Sequence, residues 1–311
     1  MKWNEYSIIS ACDQLPLSVL CCEPDEEAKG IVQLVHGMAE HKERYKDVME
    51  FLADKGYICV IHDHRGHGKS VRNKNDLGYI NGKHAEYMIE DLYQINAYIH
   101  KRYPYYPVYM FGHSMGSLVV RAYAKQYDDT IDALIVCGSP SKQSAACLGH
   151  IMCEGMKVAR GGHFRSSLIQ KIAFSSYADA FDEDYSENVW LCSDEDVVHA
   201  YDQDEMCGFT FTLNGFENLF SLLLMVYDKK HWKLKNKNLP IRFIAGENDP
   251  CIINQKKFQE AAGLMRKIGY LHVSARLFPK MRHEILNEKN HSEVYEDILA
   301  FIEKVRCGEY K

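Results

Sequence analysis

Six short apolar runs, Ile31 to His36, Tyr57 to His62, Val108 to Gly112, Ile131 to Cys137, Ile241 to Ala245 and His272 to Phe278, are separated by stretches of helical character. Runs of this length without polar alternation suit strands buried on both faces. Strands that alternate with helices fold as a largely parallel sheet with helices packed on either side. This pattern, more than any other feature, limits the chain to the α/β class. Two earlier runs, Tyr6 to Ile9 and Leu17 to Cys21, are joined by a polar turn and predict an antiparallel hairpin at one edge of the sheet.

Between the runs ending at Cys137 and beginning at Ile241 lie about a hundred residues, far more than a crossover helix needs. Helix-like patches occur there at His150 to Arg160, Leu168 to Phe181, Asp194 to Gln203 and Glu217 to Asp228, with Gly155, Gly161, Gly162, Gly208 and Gly215 as punctuation. The expected organisation is therefore an α/β core formed by residues 1–140 and 217–311, with residues 141–216 inserted as a mostly helical cap. A chain of 311 residues also exceeds the roughly 250–300 at which a single core stops growing.

Composition narrows the partners. The net charge is −6 and no run of basic residues is present, which argues against nucleic acid. The N-terminal segment carries Asp13 and Glu23 and has no sustained apolar stretch, and the longest such stretch, near Leu222 to Tyr227, is far too short for a bilayer. Neither a signal peptide nor a membrane span is expected. The 11 cysteines are scattered, with no C-x-x-C and no zinc-site spacing to histidine. They read as reduced and mostly buried, in a cytoplasmic protein. Nothing in the residues fixes an oligomeric state.

The strongest chemical signal is Gly112-His113-Ser114-Met115-Gly116, a G-x-S-x-G set between a strand and the helical stretch Leu118 to Tyr127. Glycines on either side let the backbone reverse sharply and hold the Ser114 hydroxyl at the apex. A serine needs a base, and a base needs an orienting acid. Asp249 follows the run Ile241 to Ala245, and His283 follows His272 to Phe278. Loops beyond the carboxyl ends of parallel strands gather at one sheet edge, so Ser114, Asp249 and His283 are the expected nucleophile, acid and base. Glu247 competes for the acid role, and His272 and His291 for the base. Backbone N–H groups of Met115 and Met38 are the expected oxyanion donors, Met38 lying in the loop His36-Gly37-Met38-Ala39.

The histidine-rich run His62 to Ser70 reads as a tight loop held by side-chain bonds to the backbone rather than a metal site. No dinucleotide or Walker fingerprint occurs, so no nucleotide cofactor is expected. Among the apolar residues from Met206 to Met225, those expected to line a substrate channel at the junction of cap and core are Met206, Phe209, Phe216 and Phe220.

These motifs together resemble the monoacylglycerol lipase and lysophospholipase branch of the α/β-hydrolase superfamily, often described as having a serine aminopeptidase-like domain. His36 to His41 followed by Arg44-Tyr45 resembles its H-G-x-G-E-H segment, and Asp63 to Ser70 its D-x-R-G-H-G-x-S. Gly112 to Gly116 matches G-H-S-M-G, Gly246 to Asp249 resembles the acid loop, and His283-Glu284 with Asn287-Glu288 resembles H-E-x-x-x-E. Ala39 replaces a usual glycine, and Ser117 stands where another is frequent. The resemblance implies an α/β-hydrolase fold with a helical cap and no cofactor or metal. It also implies cleavage of a lipid-type carboxylic ester, a monoacylglycerol or lysophospholipid, through an acyl-enzyme. A small-ester carboxylesterase, a thioesterase or a serine aminopeptidase is the alternative, the last requiring acids near the site; a non-enzymatic binding module on the same fold usually needs a broken triad, whereas all three members are present here. The acids from Asp182 to Glu205 read first as solvated helix faces. Contact with a membrane surface is expected to be transient at most.

Overall fold

The computed structural model describes residues 1–143 and 145–310. Its strands are β1 (Lys2–Ile9), β2 (Pro16–Glu23), β3 (Gly30–Val35), β4 (Tyr57–His62), β5 (Val108–His113), β6 (Ala133–Cys137), β7 (Ile241–Gly246) and β8 (Val273–Phe278). They form one sheet in the order β1-β2-β4-β3-β5-β6-β7-β8. The hairpin β1–β2 is antiparallel, as is β2 with β4, and every neighbouring pair from β4 to β8 is parallel.

Side chains alternate along the strands, and this sorts them into two layers. Ile31, Val108 and Met110 face helices α2 (Glu86–Arg102), α3 (Met115–Tyr127) and α8 (Gln255–Ile268). Val32, Tyr109 and Phe111 face α1 (Lys46–Asp54) and α9 (His291–Arg306). With both faces covered, the central strands are mostly apolar, with Gln33 of β3 paired to Asn96 of α2, which is why the runs are near-continuous rather than alternating. The strand order reverses around β3, whose neighbours are β4 and β5. The loops after β3 and β5 therefore diverge and leave a crevice at the carboxyl edge of the sheet.

Between β6 and β7 the chain forms α4 (Ala146–Arg160), α5 (Ser167–Ala178), α6 (Glu195–Gln203) and α7 (Leu213–Tyr227). The last starts earlier than the patch expected from Glu217, because Thr212 Oγ1 accepts the Gly215 N–H at 3.1 Å and caps it. Gly215 is thus no break. It sits in the first turn, where a Cβ would lie 2.2 Å from the Gly78 carbonyl oxygen, so glycine permits the close approach of α7 to that loop. The division expected at residue 216 falls inside this continuous helix, which packs on both α3 and α4. No helix among the described residues is long and apolar enough to cross a membrane. None of the cysteines is in a disulfide, and only Cys12, Cys147 and Cys307 are not buried.

Candidate active site

Ser114 joins β5 to α3 at φ 53° and ψ −119°, a sparsely populated conformation for a residue with a side chain. Packing holds it there. A Cβ on Gly116 would come within 2.3 Å of the Val35 carbonyl oxygen, so only glycine lets α3 start this close to β3. The Ser114 N–H donates to the Cys137 carbonyl at 3.0 Å, and Ser117 Oγ donates to the Ser114 carbonyl, giving that departure from glycine a bond in the first helical turn.

His283, in the loop after β8, brings Nε2 to 2.8 Å from Ser114 Oγ. Its Nδ1 is 3.0 Å from Asp249 Oδ1, although the contact is not aligned as a hydrogen bond. Asp249 Oδ1 also accepts the Cys251 N–H at 2.8 Å, so the turn-forming role open to an aspartate before proline coexists with the contact to histidine. Both His283 and Asp249 are buried. The competing residues lie elsewhere. Glu247 is exposed and accepts the Lys280 N–H, His272 stacks edge-on against Tyr310, and His291 Nδ1–H donates to the Glu288 carbonyl.

The loop after β3 is pinned by a buried charged cluster whose residues the motifs contained but whose roles the sequence did not reveal. Glu40 Oε1 accepts the Gly37 N–H at 2.5 Å and the Tyr45 hydroxyl at 3.0 Å. Arg44 donates to Glu40 Oε2 at 2.9 Å and grips Glu284 through both terminal nitrogens at 2.7 Å. The residue after the candidate base is thereby tied to the candidate oxyanion loop. Burial alone would raise the Glu40 carboxyl pKa, but His113, Arg44 and the Gly37 N–H outweigh it and hold it well below the usual range. Burial opposes charge on His113 too, yet Glu40 raises its pKa. Met38 and Met115 line the same cavity as Ser114, and Ala39 takes φ 53°.

In the loop after β4, Asp63 accepts the backbone N–H groups of Lys42 at 2.8 Å and Lys69 at 2.9 Å, and pairs with Lys42 Nζ at 3.0 Å. His64 N–H donates to His36 Nε2 at 2.8 Å, which ties this loop to the one after β3. Among the described residues, three other clusters bring metal-ligating atoms together: His41/Asp204/Cys207, His84/His150/Glu217 and Asp249/Cys251/His283. In the first, His41 Nε2 is already hydrogen-bonded to Asp204. In the second, Glu217 is paired with Lys157. The third shares its histidine with Ser114.

A cavity of about 480 Å³ opens on Ser114 and His283. Of the four residues expected on its wall, Phe209 and Phe220 are there. Phe216 and Met206 are not: Phe216 is fully buried among Phe211, Phe174 and Phe220, and Met206 lies outside the lining in the turn after α6. The wall instead recruits Phe174, Trp190, Leu219 and Leu223. On α7 the lining residues 219, 220 and 223 share one face, a spacing visible in the sequence. Trp190 has no such signal, since it comes from irregular chain before α6.

A mostly parallel sheet whose β5 delivers a serine on a strained strand-to-helix turn, with histidine and aspartate from the loops after β8 and β7, is the architecture of an α/β-hydrolase. Residues 26–290 match the family model Hydrolase_4, described as serine aminopeptidase, S33, and the chain belongs to that family of serine hydrolases. It is 24% identical to a monoacylglycerol lipase of Mycolicibacterium smegmatis over 282 residues, covering 90% of each chain. It is 25% identical to a monoglyceride lipase homolog of Monkeypox virus over 284 residues, again covering 90% of each. A crystal structure of a thermostable carboxyl esterase from Bacillus coagulans in complex with glycerol superposes with a TM-score of 0.89 at 26% identity, covering 98% of this chain and 99% of that one.

Proposed function

We propose that this serine hydrolase cleaves carboxylic esters of lipid type, monoacylglycerols or lysophospholipids, through an acyl-enzyme. The observation that carries the reading is the cavity of about 480 Å³ that ends on Ser114 and His283, walled by Phe174, Trp190, Leu219, Phe220 and Leu223. An acyl chain laid against these side chains leaves water, a gain of about 0.8 kcal/mol per methylene. The relatives named as monoacylglycerol and monoglyceride lipases support the same substrate class.

The residues divide the work as follows. Ser114 Oγ attacks the ester carbonyl while its proton passes to His283 Nε2, and the new oxyanion takes hydrogen bonds from the N–H groups of Met38 and Met115. Asp249 holds the tautomer with the proton on Nδ1 and offsets the imidazolium charge. Collapse of the tetrahedral intermediate breaks the C–O bond, and His283 returns the proton to the leaving alkoxide. Water then repeats the sequence on the acyl-serine, releasing the acid.

Residues 141–216 act as a cap in this reading. Leu148, Ile151 and Val158 of α4 and Leu168 and Ile172 of α5 are exposed apolar side chains, and Lys171 stands between the last two in the chain. Such side chains suit transient contact with a lipid surface. The unpaired, mostly buried cysteines fit a cytoplasmic site of action.

The test is kcat/KM over esters of increasing acyl length, including monoacylglycerols and a lysophospholipid, with Ser114→Ala as blank. A maximum at medium or long chains is expected. A maximum at acetyl or butyryl with lipids untouched overturns the lipid reading in favour of a small-ester carboxylesterase, and preference for an aminoacyl amide overturns it in favour of an aminopeptidase. Asp179 and Glu187, the exposed acids among the cavity-lining residues, are where such a substrate's ammonium group would be held.

A further inference from the structure

Met38, the expected oxyanion donor, sits between two fixed points that belong to different parts of the molecule. On one side the core holds Gly37, whose N–H donates to Glu40 Oε1 at 2.5 Å. On the other side is Ala39 at φ 53°, a left-handed conformation that glycine takes freely and alanine does not. Two hydrogen bonds hold the Ala39 carbonyl, and both come from the insert: the Tyr201 hydroxyl donates at 2.9 Å and the Gly208 N–H at 2.9 Å. A third tether from the same turn reaches the next part of the loop, where His41 Nε2 lies 2.9 Å from Asp204 Oδ2. Tyr201 is well placed to act as a fixed donor. The residue is 7% exposed, and its ring centroid lies 4.9 Å from the Arg44 guanidinium carbon, which Glu40 and Glu284 hold in turn.

We propose that Tyr201 is a positioning residue for the oxyanion loop: by holding the Ala39 carbonyl it keeps an alanine in a glycine conformation and so aims the Met38 N–H at the reacting carbonyl. The insert then completes the oxyanion site as well as covering it. Ala39 and Tyr201 are two halves of one device, since an alanine at this position needs the external hold that a glycine would need less. This inference rests on the ester-hydrolase reading and adds to it a dependence of catalysis on the insert.

The experiment compares Tyr201→Phe, Ala39→Gly and the double variant, with kcat and KM for a soluble butyryl ester and Ki for a trifluoromethyl ketone, whose adduct on Ser114 carries the oxyanion. Tyr201→Phe is expected to lower kcat about tenfold, with KM within about threefold, and to raise Ki in proportion. In the Ala39→Gly background the same change is expected to cost less than about threefold. A rise in KM alone would mean that Tyr201 merely touches substrate, and overturns the proposal. So does a kcat loss that is the same in both backgrounds, or no loss at all. If Tyr201→Phe does not fold by itself, the comparison is made within Ala39→Gly, where a kcat loss above about threefold is the overturning result. Wild-type protein without turnover or fluorophosphonate labelling would instead sink the ester-hydrolase reading, which keeps the two failures apart.

Discussion

His283 Nε2 lies 2.8 Å from Ser114 Oγ although the two residues are 169 positions apart. The distance is that of a hydrogen bond ready to carry a proton, and it exists because β5 and β8 end at the same edge of the sheet. With Ser114→Ala, turnover is expected to fall by at least about 10⁴-fold and the fluorophosphonate adduct to vanish, because no hydroxyl remains to be acylated. Mass spectrometry of the labelled protein and a thermal melt check this together. An adduct persisting on folded Ser114→Ala protein would assign the nucleophile elsewhere.

Asp249→Asn should lower kcat by about 10⁴-fold with little change in fold, since an amide donating to Nδ1 leaves the proton on the wrong nitrogen. Steady-state kinetics on a soluble ester test it. Because the same Oδ1 faces His283 Nδ1 and accepts the Cys251 N–H, an amide that donates to Nδ1 gives up the Cys251 bond, at a cost of about 1 kcal/mol in a denaturation curve. A loss below about tenfold would show that the 3.0 Å contact with His283 has no catalytic weight.

Arg44→Lys is not a conservative change. The guanidinium donates to two buried carboxylates, gripping Glu284 with two bonds, whereas an ammonium cannot reproduce that planar fork. Leaving Glu40 and Glu284 partly unpaired in the interior should cost about 2–4 kcal/mol in urea denaturation. Wild-type stability in this variant would mean that water replaces the missing bonds.

Acid should weaken the fold through its buried histidines. Burial depresses the pKa of His62 to about 4 and, against the smaller pull of nearby acceptors, that of His67 also to about 4. A free histidine titrates near 6.5, so between about pH 6.5 and 4 the unfolded chain binds protons that the folded one refuses. The neutral-histidine contribution is therefore fully present above pH 6.5 and is lost as pH falls through 4. His113 acts with the opposite sign: its pKa is raised, so its contribution is present below 6.5 and fades as pH rises. Melting temperature followed from pH 7.5 to 4.5 should drop by several degrees. His62→Leu, which removes two buried ring nitrogens without partners, should flatten the slope, and an unchanged slope would remove His62 from the account.

Leu223→Trp should shift the preferred acyl chain toward shorter esters, because Leu223 lines the cavity from α7 and the larger ring fills it. The readout is the position of the maximum in kcat/KM against chain length. A maximum that does not move would place the acyl chain along another wall.

Local chemistry wrote the strands, the elbow and the candidate triad into the sequence. Strands buried on both faces are mostly apolar, a serine on a strained turn requires glycines beside it, and acid and base must follow strands whose carboxyl ends converge. Those demands act over a few residues, so Ser114, Asp249 and His283 could be named without coordinates. The wall of the cavity was legible only in part. Phe216 and Phe220 look alike in sequence, yet a single helical turn puts one deep among aromatic neighbours and the other on the cavity. The start of α7 was misplaced because Gly215 serves a contact with Gly78, which is distant in the chain. Glu40, Arg44 and Glu284 are visible as motif letters, but their joint grip on the loop after β3 depends on bringing residues 240 positions apart into bidentate contact. Likewise, nothing local links Tyr201 to Ala39. Sequence alone determined which chemistry the chain could carry; burial and the meeting of distant loops decided which residues hold that chemistry in place.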